Sequence, residues 1–169
     1  MSDSADCSRT TLLYPYREDP QHARLGKPVF RPFVQVSLVN GGASTTMLDG
    51  LIDTGADGIL VSDLLAEQLE VDLSAHEGET RHAVGGRTMN VRYRTITLRL
   101  HPHDGEIHER REWMAQVGFV ENWHSYSLVL LGSVGFLDQF TVTASRFAQA
   151  IAVEDRDVFD RRFGIVHVG

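Results

Sequence analysis

The sequence predicts an all-β domain, a sandwich or a barrel, with one or two short helices. Apolar and polar residues alternate in several short runs, as they do in strands that bury one face. Turn signals rich in Gly and Asn separate these runs at short intervals. Helical periodicity is confined to brief segments. A chain of 169 residues with this pattern is one domain of ordinary size, long enough to bury a hydrophobic core.

The first predicted strands follow a polar arm. Residues 1–28 contain three prolines and no sustained period, so we expect this arm to order only by contact with the body or with another subunit. The domain itself is expected over 29–153. Its first strand carries the alternation "VQVSL" at 34–38, and the Asn-Gly turn at 40–41 leads into a second strand over 45–53.

The centre of the chain predicts another strand, a helix and a hairpin. The apolar run "GILVS" ends at Ser62, which can cap a short helix over 63–69. The turn at 83–86 leads into strands over 88–100. The alternation slips by one residue near 94–95, which predicts a bulge or a bend there.

The last part of the chain adds further strands. A hairpin turn and a return strand occupy 103–119, and 127–132 is a continuous apolar run typical of a strand buried on both faces. We expect a short helix over 133–138 and a strand over 140–144. The charged segment 154–169 ends in the strand-like "GIVHV" and is a candidate strand at a dimer interface.

Charge and hydropathy argue against several classes of partner. The formal net charge of −7 disfavours non-specific binding to nucleic acid. The pairs Arg110-Arg111 and Arg161-Arg162 are flanked by Asp and Glu, so a solvated surface of mixed charge outweighs a basic patch. No apolar run approaches the length of a transmembrane helix, and we expect no membrane partner. The first ten residues lack a signal peptide's basic start and apolar core, so the simplest location is the cytoplasm.

Metal and thiol chemistry are not expected. Cys7, the only cysteine, cannot form an internal disulfide and lacks a neighbouring His or Asn/Asp constellation. A group of histidine and acidic residues matches no known zinc-site spacing, and a hairpin turn is the simpler interpretation of it than a metal site. These residues are His101, His103, His108 and His124, with Asp104 and Glu106. We therefore expect no metal and no cofactor.

The stretch "LIDTGADGIL", residues 51–60, carries the strongest chemical signal. Asp53 stands between two apolar runs, and burying a lone carboxylate is costly unless it is paired or hydrogen-bonded. Gly55 allows a sharp turn and a close approach of backbone, and Thr54 supplies a hydroxyl. The alternative is a β-turn in which Asp53 only caps a bend. Asp-Thr-Gly occurs once in the chain.

Residues 51–69, "LIDTGADGILVSDLLAEQL", resemble the active-site segment of retropepsin-like aspartic proteases, the single-domain, retroviral-type enzymes. The order strand, Gly turn, strand, Asp-Thr-Gly-Ala over 31–57 is similar to that of the family. "AVGGRTMNVRY" at 83–93 stands where the family has a Gly-rich flap hairpin. "SLVLLGSVGFLDQF" at 127–140 is similar to its apolar-apolar-Gly segment and short helix. The resemblance covers roughly 30–145, most of the chain.

The resemblance implies an acid-protease fold, a closed β-barrel or sandwich, with its active site at a homodimer interface. Asp53 of each copy would join a catalytic pair that shares one proton. One carboxylate would activate a water, and the other, protonated, would polarise the peptide carbonyl. Thr54 would interlock with its symmetry mate beneath the pair, and Gly55 would bond substrate backbone.

The substrate implied by the resemblance is an extended polypeptide. Asp57 would help to hold its main chain, and Gly85 and Gly86 would form the tip of a flap over it. Trp123 would line a substrate pocket. Ala56 also belongs to this set. Unlike Ser, Ala56 cannot donate a hydrogen bond to the pair, so we expect a pH optimum in the mildly acidic or neutral range.

The sequence also departs from the family. Retroviral members have Arg after the glycine of the apolar-apolar-Gly segment, but Ser133 follows Gly132 here, which leaves the surroundings of Asp57 open. Other readings remain: a dimeric interaction module without catalysis, an ordinary turn at 85–86, and a surface or core role for Trp123. An enzyme that trims its own arm is a further alternative.

Overall fold

The computed structural model describes residues 11–24, 26–84, 86–104, 109–124 and 128–165. They form a mostly β structure, which confirms the predicted fold class. The elements are, in chain order, β1 (Leu12–Pro15), β2 (Arg17–Arg24), β3 (Lys27–Arg31), β4 (Phe33–Asn40), β5 (Ala43–Ser44), β6 (Leu48–Ile52), β7 (Ile59–Ser62), α1 (Leu65–Gln68), a 3-10 turn (Leu73–Ala75), β8 (Gly78–Val84), β9 (Arg87–His101), β10 (Arg111–Val120), β11 (Leu128–Leu131), a helical turn (Ser133–Leu137), β12 (Phe140–Ser145), β13 (Ala150–Asp155) and α2 (Arg156–Phe163).

Six strands close a barrel in the order β4–β6–β11–β7–β10–β9, with β9 pairing back to β4. Closure depends on the 15-residue strand β9. Residues 87–93 of this strand pair with β8, residues 91–100 pair with β10, and residues 97–101 pair with β4. Of the two predicted architectures, barrel or sandwich, these strands therefore form the closed barrel.

Alternating side chains of these strands fill the barrel. The inward residues of β4 and β9 show the predicted period of two and are almost completely buried: Val34, Val36, Leu38, Ile96, Leu98 and Leu100. Each such side chain contributes about 1.5–3 kcal/mol by leaving water. Phe136, in the predicted helical turn, and Phe140 pack with Trp113 and belong to the same core.

A second, smaller apolar cluster lies outside this core. It consists of Leu60, Val91 and Val120, and four half-buried side chains pack against it: Met89, Tyr93, Trp123 and Leu130. The slip in alternation near 94–95 reflects this cluster. β9 pairs with β10 in unbroken register through that point, so of the predicted bulge or bend the bulge is absent there. The strand instead changes its buried face, from the outer cluster at Val91 to the barrel core at Ile96.

The terminal segments meet in a separate sheet ordered β1–β13–β12. Leu12 and Tyr14 of β1 are buried, and the Tyr14 hydroxyl donates to the His101 carbonyl oxygen at 2.8 Å. This part of the N-terminal arm is ordered by contact with the body. β2 and β3 form a hairpin that spans the expected boundary at 28–29. The boundaries of the arm and of the C-terminal segment stay predictions.

The C-terminal segment contains a helix that its charged sequence did not signal. Residues 154–155 end β13, and α2 follows directly. The buried Glu154 carboxylate accepts hydrogen bonds from Arg162 at 3.0 Å and from the Thr11 hydroxyl at 3.1 Å, which fastens the helix to the sheet. Residues 166–169, which include most of "GIVHV", lie outside the described residues. A role of this segment in a dimer interface stays a prediction.

The helices in the described ranges are short: none has the length and apolar character that crossing a membrane requires.

Candidate active site

Asp53 lies directly after the barrel strand β6, where the chain leaves the sheet. Its backbone N–H donates to the Leu131 carbonyl oxygen at 3.1 Å, and the N–H of Ile52 donates to Pro32 O at 3.2 Å. The two bonds fix the end of β6 between the entry to β4 and the end of β11. The position of the Asp53 backbone is therefore set by the barrel.

The Asp53 side chain caps the turn that follows. Its Oδ1 atom accepts the backbone N–H of Gly55 at 2.9 Å, and the backbone carbonyl oxygen of Asp53 accepts the N–H of Ala56 at 3.1 Å. A Cβ atom added to Gly55 would lie 3.3 Å from Asp53 Oδ1, so glycine leaves room for this bond. Asp53 is half-buried, whereas Thr54 and Gly55 are exposed. The carboxylate is held in place and still reachable by a ligand.

Residues 56–58 pack directly against Gly132, at the end of β11. The N–H of Ser133 donates to Ala56 O at 2.9 Å, and the N–H of Val134 donates to Asp57 O at 2.9 Å. A Cβ atom on Gly132 would lie 2.4 Å from Gly58 O and 2.5 Å from Ala56 O, which no side chain tolerates. Gly132 thus belongs to the site. The sequence shows its place after an apolar strand but does not show its contact with 56–58.

Because Ser133 stands where retroviral members have an arginine, the structure must show what else holds the loop around Asp57. The chain holds this loop through main-chain hydrogen bonds from Ser133 and Val134, and not through an arginine at position 133. Asp57 itself is exposed. Its role toward a substrate main chain stays a prediction.

β8 and β9 form a hairpin where the sequence predicts a flap, and the flap role itself stays a prediction. Gly86 has a φ of +79°, a left-handed conformation that favours glycine, whereas Gly85 lies outside the described residues. The hairpin is tied to the loop after β10 by two bonds. The Glu121 N–H donates to Asn90 O at 2.9 Å, and Asn90 Nδ2 donates to Glu121 Oε2 at 2.9 Å.

An apolar floor joins the Asp53 turn to this hairpin. Leu130 pairs with Leu51 of β6 and with Leu60 of β7, and both Leu60 and Leu130 belong to the outer cluster. Met89 from the hairpin and Trp123 from the following loop pack against the same cluster. Leu130 therefore connects the end of β11, where the Leu131 carbonyl oxygen fixes the Asp53 backbone, to the outer cluster.

The structure therefore brings the predicted residues together in two groups. Residues 53–57 form one turn, and Trp123 joins the flap hairpin through the outer cluster. The catalytic and binding roles of all of them stay predictions. Among the described residues, no three His, Cys, Asp or Glu side chains are grouped to hold a metal ion. His108 and Glu106 of the histidine group lie outside that range.

A search of solved structures finds a retropepsin-like aspartic protease from Rickettsia conorii. The two structures align with a TM-score of 0.52 at 12% sequence identity, over 83% of this chain and 97% of that chain. At this identity, the likeness shows the fold alone, and it confirms the predicted acid-protease architecture. No protein-family model matches the chain. No curated protein matches it either.

Proposed function

We propose that the chain is an aspartic endopeptidase that acts as a homodimer. The observation that carries this proposal is the Asp53 turn. Hydrogen bonds to the barrel fix the Asp53 backbone, and its carboxylate accepts the Gly55 N–H while it stays accessible. This carboxylate is therefore held in place where a substrate can reach it. The fold shared with a retropepsin-like protease supports the same conclusion.

The chemistry needs two carboxylates. A two-fold axis near Asp53 would bring together the same residue of two copies, and two carboxylates held close cannot both ionise. The ionised carboxylate removes a proton from water as the water oxygen adds to the peptide carbonyl carbon. The protonated one donates to the carbonyl oxygen. Transfer of a proton to the amide nitrogen then accompanies cleavage of the C–N bond, and the pair returns to one shared proton.

The substrate would be an extended polypeptide lying between the apolar floor and the flap hairpin. Main-chain hydrogen bonds would hold it, with Gly55 and Asp57 as partners, and side-chain pockets would select it. The half-buried Leu130 and Trp123 would line such a pocket. Ala56 offers no hydroxyl to stabilise the ionised pair, which favours activity in the mildly acidic to neutral range.

Cleavage of a diverse peptide mixture, read by mass spectrometry from about pH 4 to about pH 8, tests this function. Asp53→Asn should lower the rate by about 10²–10⁴-fold, because the pair loses its acid–base function. Its fold should persist, since the Asn side-chain oxygen can still accept the Gly55 N–H. Asp104→Asn, which removes an exposed carboxylate in the turn after β9, is the matched control and should cleave like wild type.

Equal cleavage by wild type and Asp53→Asn would refute the proposal. A verified dimer that yields no products would favour the alternative, a catalytically silent interaction module on the same fold.

A further inference from the structure

The helical turn after β11 joins the Asp53 turn to strand β10. On one side, the N–H groups of Ser133 and Val134 donate to the carbonyl oxygens of Ala56 and Asp57, each at 2.9 Å. The Ala56 N–H in turn donates to the Asp53 carbonyl oxygen at 3.1 Å. The contacts that fix the first two donors therefore also fix the backbone that carries the Asp53 carboxylate.

Gly135, which directly follows these two donors, is held at both of its backbone polar groups. Its N–H donates to Asp138 Oδ1 at 2.9 Å, and its carbonyl oxygen accepts the Trp113 indole N–H at 2.7 Å. Its φ of +94° favours glycine, and an added Cβ atom would lie 2.9 Å from Ile59 Cδ1 and 3.2 Å from the Cβ atom of Ala115. Gly135 is thus closely surrounded and bonded from two directions, so its position is sharply defined.

The Trp113 side chain is itself fixed by the barrel. β10 pairs with β9 in the barrel wall, with Trp113 opposite Leu98. The Trp113 ring packs edge-on against Phe140, with centroids 4.9 Å apart and an angle of 81° between the planes. The centroid of the Phe136 ring lies 6.0 Å from that of Trp113. Aromatic rings packed in this way have a preferred geometry, so the barrel also sets the direction of the indole N–H.

We propose that Trp113 and Asp138 are positioning residues for the proposed reaction. They hold Gly135 from two sides, so that the two N–H groups before it stay aligned with the carbonyl oxygens of residues 56 and 57. This inference rests on the proposed function and deepens it, because it names what keeps the Asp53 carboxylate at the place that a carboxylate pair needs. A misplacement of about 1 Å at a reacting group can lower a rate by about 100-fold.

Steady-state kinetics of full-length Trp113→Phe, with a peptide that wild type cleaves, test the first residue. Phe keeps an aromatic ring in the core but removes the N–H. The kcat should fall by about 10- to 100-fold and KM should stay within about threefold, because Trp113 packs in the barrel core and not in the outer cluster of the proposed substrate pocket. Tyr14→Phe is the matched control. It removes another aromatic donor to a backbone carbonyl, that of His101 at 2.8 Å, and should keep kcat within about threefold of wild type. Thermal unfolding should show both variants folded at the assay temperature.

Asp138 tests the same link without a change in the core, since this residue is exposed. Asp138→Ala removes the acceptor of the Gly135 N–H and should lower kcat by about 10-fold or more, again with little change in KM. Asp138→Asn keeps a side-chain oxygen that can accept the same N–H. This conservative variant should therefore keep kcat within about threefold of wild type.

Hydrogen exchange measured by NMR reports on the link directly. In Trp113→Phe and in Asp138→Ala, the amide protons of Ser133 and Val134 should exchange about 10-fold faster, relative to the amide protons of β9, than they do in wild type. In Tyr14→Phe this ratio should stay at the wild-type value, because the bond that it removes lies at the other end of the barrel strand β9.

The outcomes separate this inference from the proposed activity. If Trp113→Phe and Asp138→Ala keep the wild-type kcat, or leave the exchange of the two amide protons unchanged, the positioning role is refuted while the activity stands. An equal loss of kcat in Tyr14→Phe would also refute it, because the effect would then follow from general destabilisation. If wild type cleaves no peptide, the proposed activity falls, and the exchange rates alone decide whether Trp113 and Asp138 hold the turn.

Discussion

At the scale of single residues, the candidate site depends on close contacts between two backbone segments, 53–58 and 131–134. Asp53 Oδ1 satisfies the Gly55 N–H, and the oxygens of Ala56 and Gly58 lie where any side chain at position 132 would stand. The turn keeps its shape because two separate segments, 53–58 and 131–134, share main-chain hydrogen bonds. A substitution in either segment therefore acts on the geometry of the carboxylate.

Gly132→Ala should lower the free energy of unfolding by about 3 kcal/mol, because the added methyl group forces residues 56–58 away from β11. Urea unfolding followed by circular dichroism measures the change. Gly42→Ala is the control: no heavy atom lies within 4 Å of its added Cβ atom. A Gly132→Ala variant as stable as Gly42→Ala would show that the loop can move aside at no cost.

At the scale of elements, β9 connects the parts of the molecule. It forms one strand of the β8–β9 hairpin, closes the barrel against β4, and ends at His101. There, Ser37 Oγ and His101 Nε2 lie 2.8 Å apart in a hydrogen bond, and the Tyr14 hydroxyl donates to the His101 carbonyl oxygen. Burial raises the pKa of Tyr14 well above its usual range, so its hydroxyl remains a donor. This junction joins β1, β4 and β9.

His101 should make the fold sensitive to acid. The pKa of His101 lies below its ordinary value, mainly because the side chain is partly buried. The positive charges of Arg110 and Arg99 lower this pKa further. As the pH falls, the unfolded chain takes up this proton before the folded chain does. The stability contribution is therefore present above the ordinary histidine pKa and is lost as the pH falls toward the lowered value.

His101→Gln should consequently lose less stability than wild type between about pH 7.5 and about pH 5, because Gln can bond Ser37 without titrating. Urea unfolding at the two pH values provides the comparison. His76→Gln replaces an exposed histidine and should keep the wild-type dependence. If His101→Gln retained that dependence too, other groups would govern the acid response.

At the scale of the whole molecule, a single chain holds one Asp-Thr-Gly and the proposed reaction needs two. Activity is then a property of the dimer. On dilution below the dimer dissociation constant, the specific activity per chain should fall roughly in proportion to concentration. Rate measurements over a dilution series, with sedimentation at matching concentrations, test this. A constant specific activity in solutions shown to be monomeric would contradict a shared site.

Local pattern was enough to predict much of the fold and the centre of the site. Alternation marked the inward residues of β4 and β10, because a strand has a period of two wherever it lies. The Asp-Thr-Gly-Ala run predicted a turn with a carboxylate at a strand end, since glycine and aspartate act on their nearest neighbours. Both features depend only on residues that are neighbours in the chain, and these neighbours can be read from the sequence.

Only the tertiary structure decided features that depend on distant segments. The phase slip in β9 is a change of buried face because β10 and the outer cluster lie against it. The residue after β11 must be glycine because 56–58 cross over it, some 75 positions away in sequence. Helix α2 is fastened by Glu154 and Arg162 where its own charged sequence gave no apolar stripe. Such contacts form between surfaces that exist only once the chain has folded, so no local pattern encodes them.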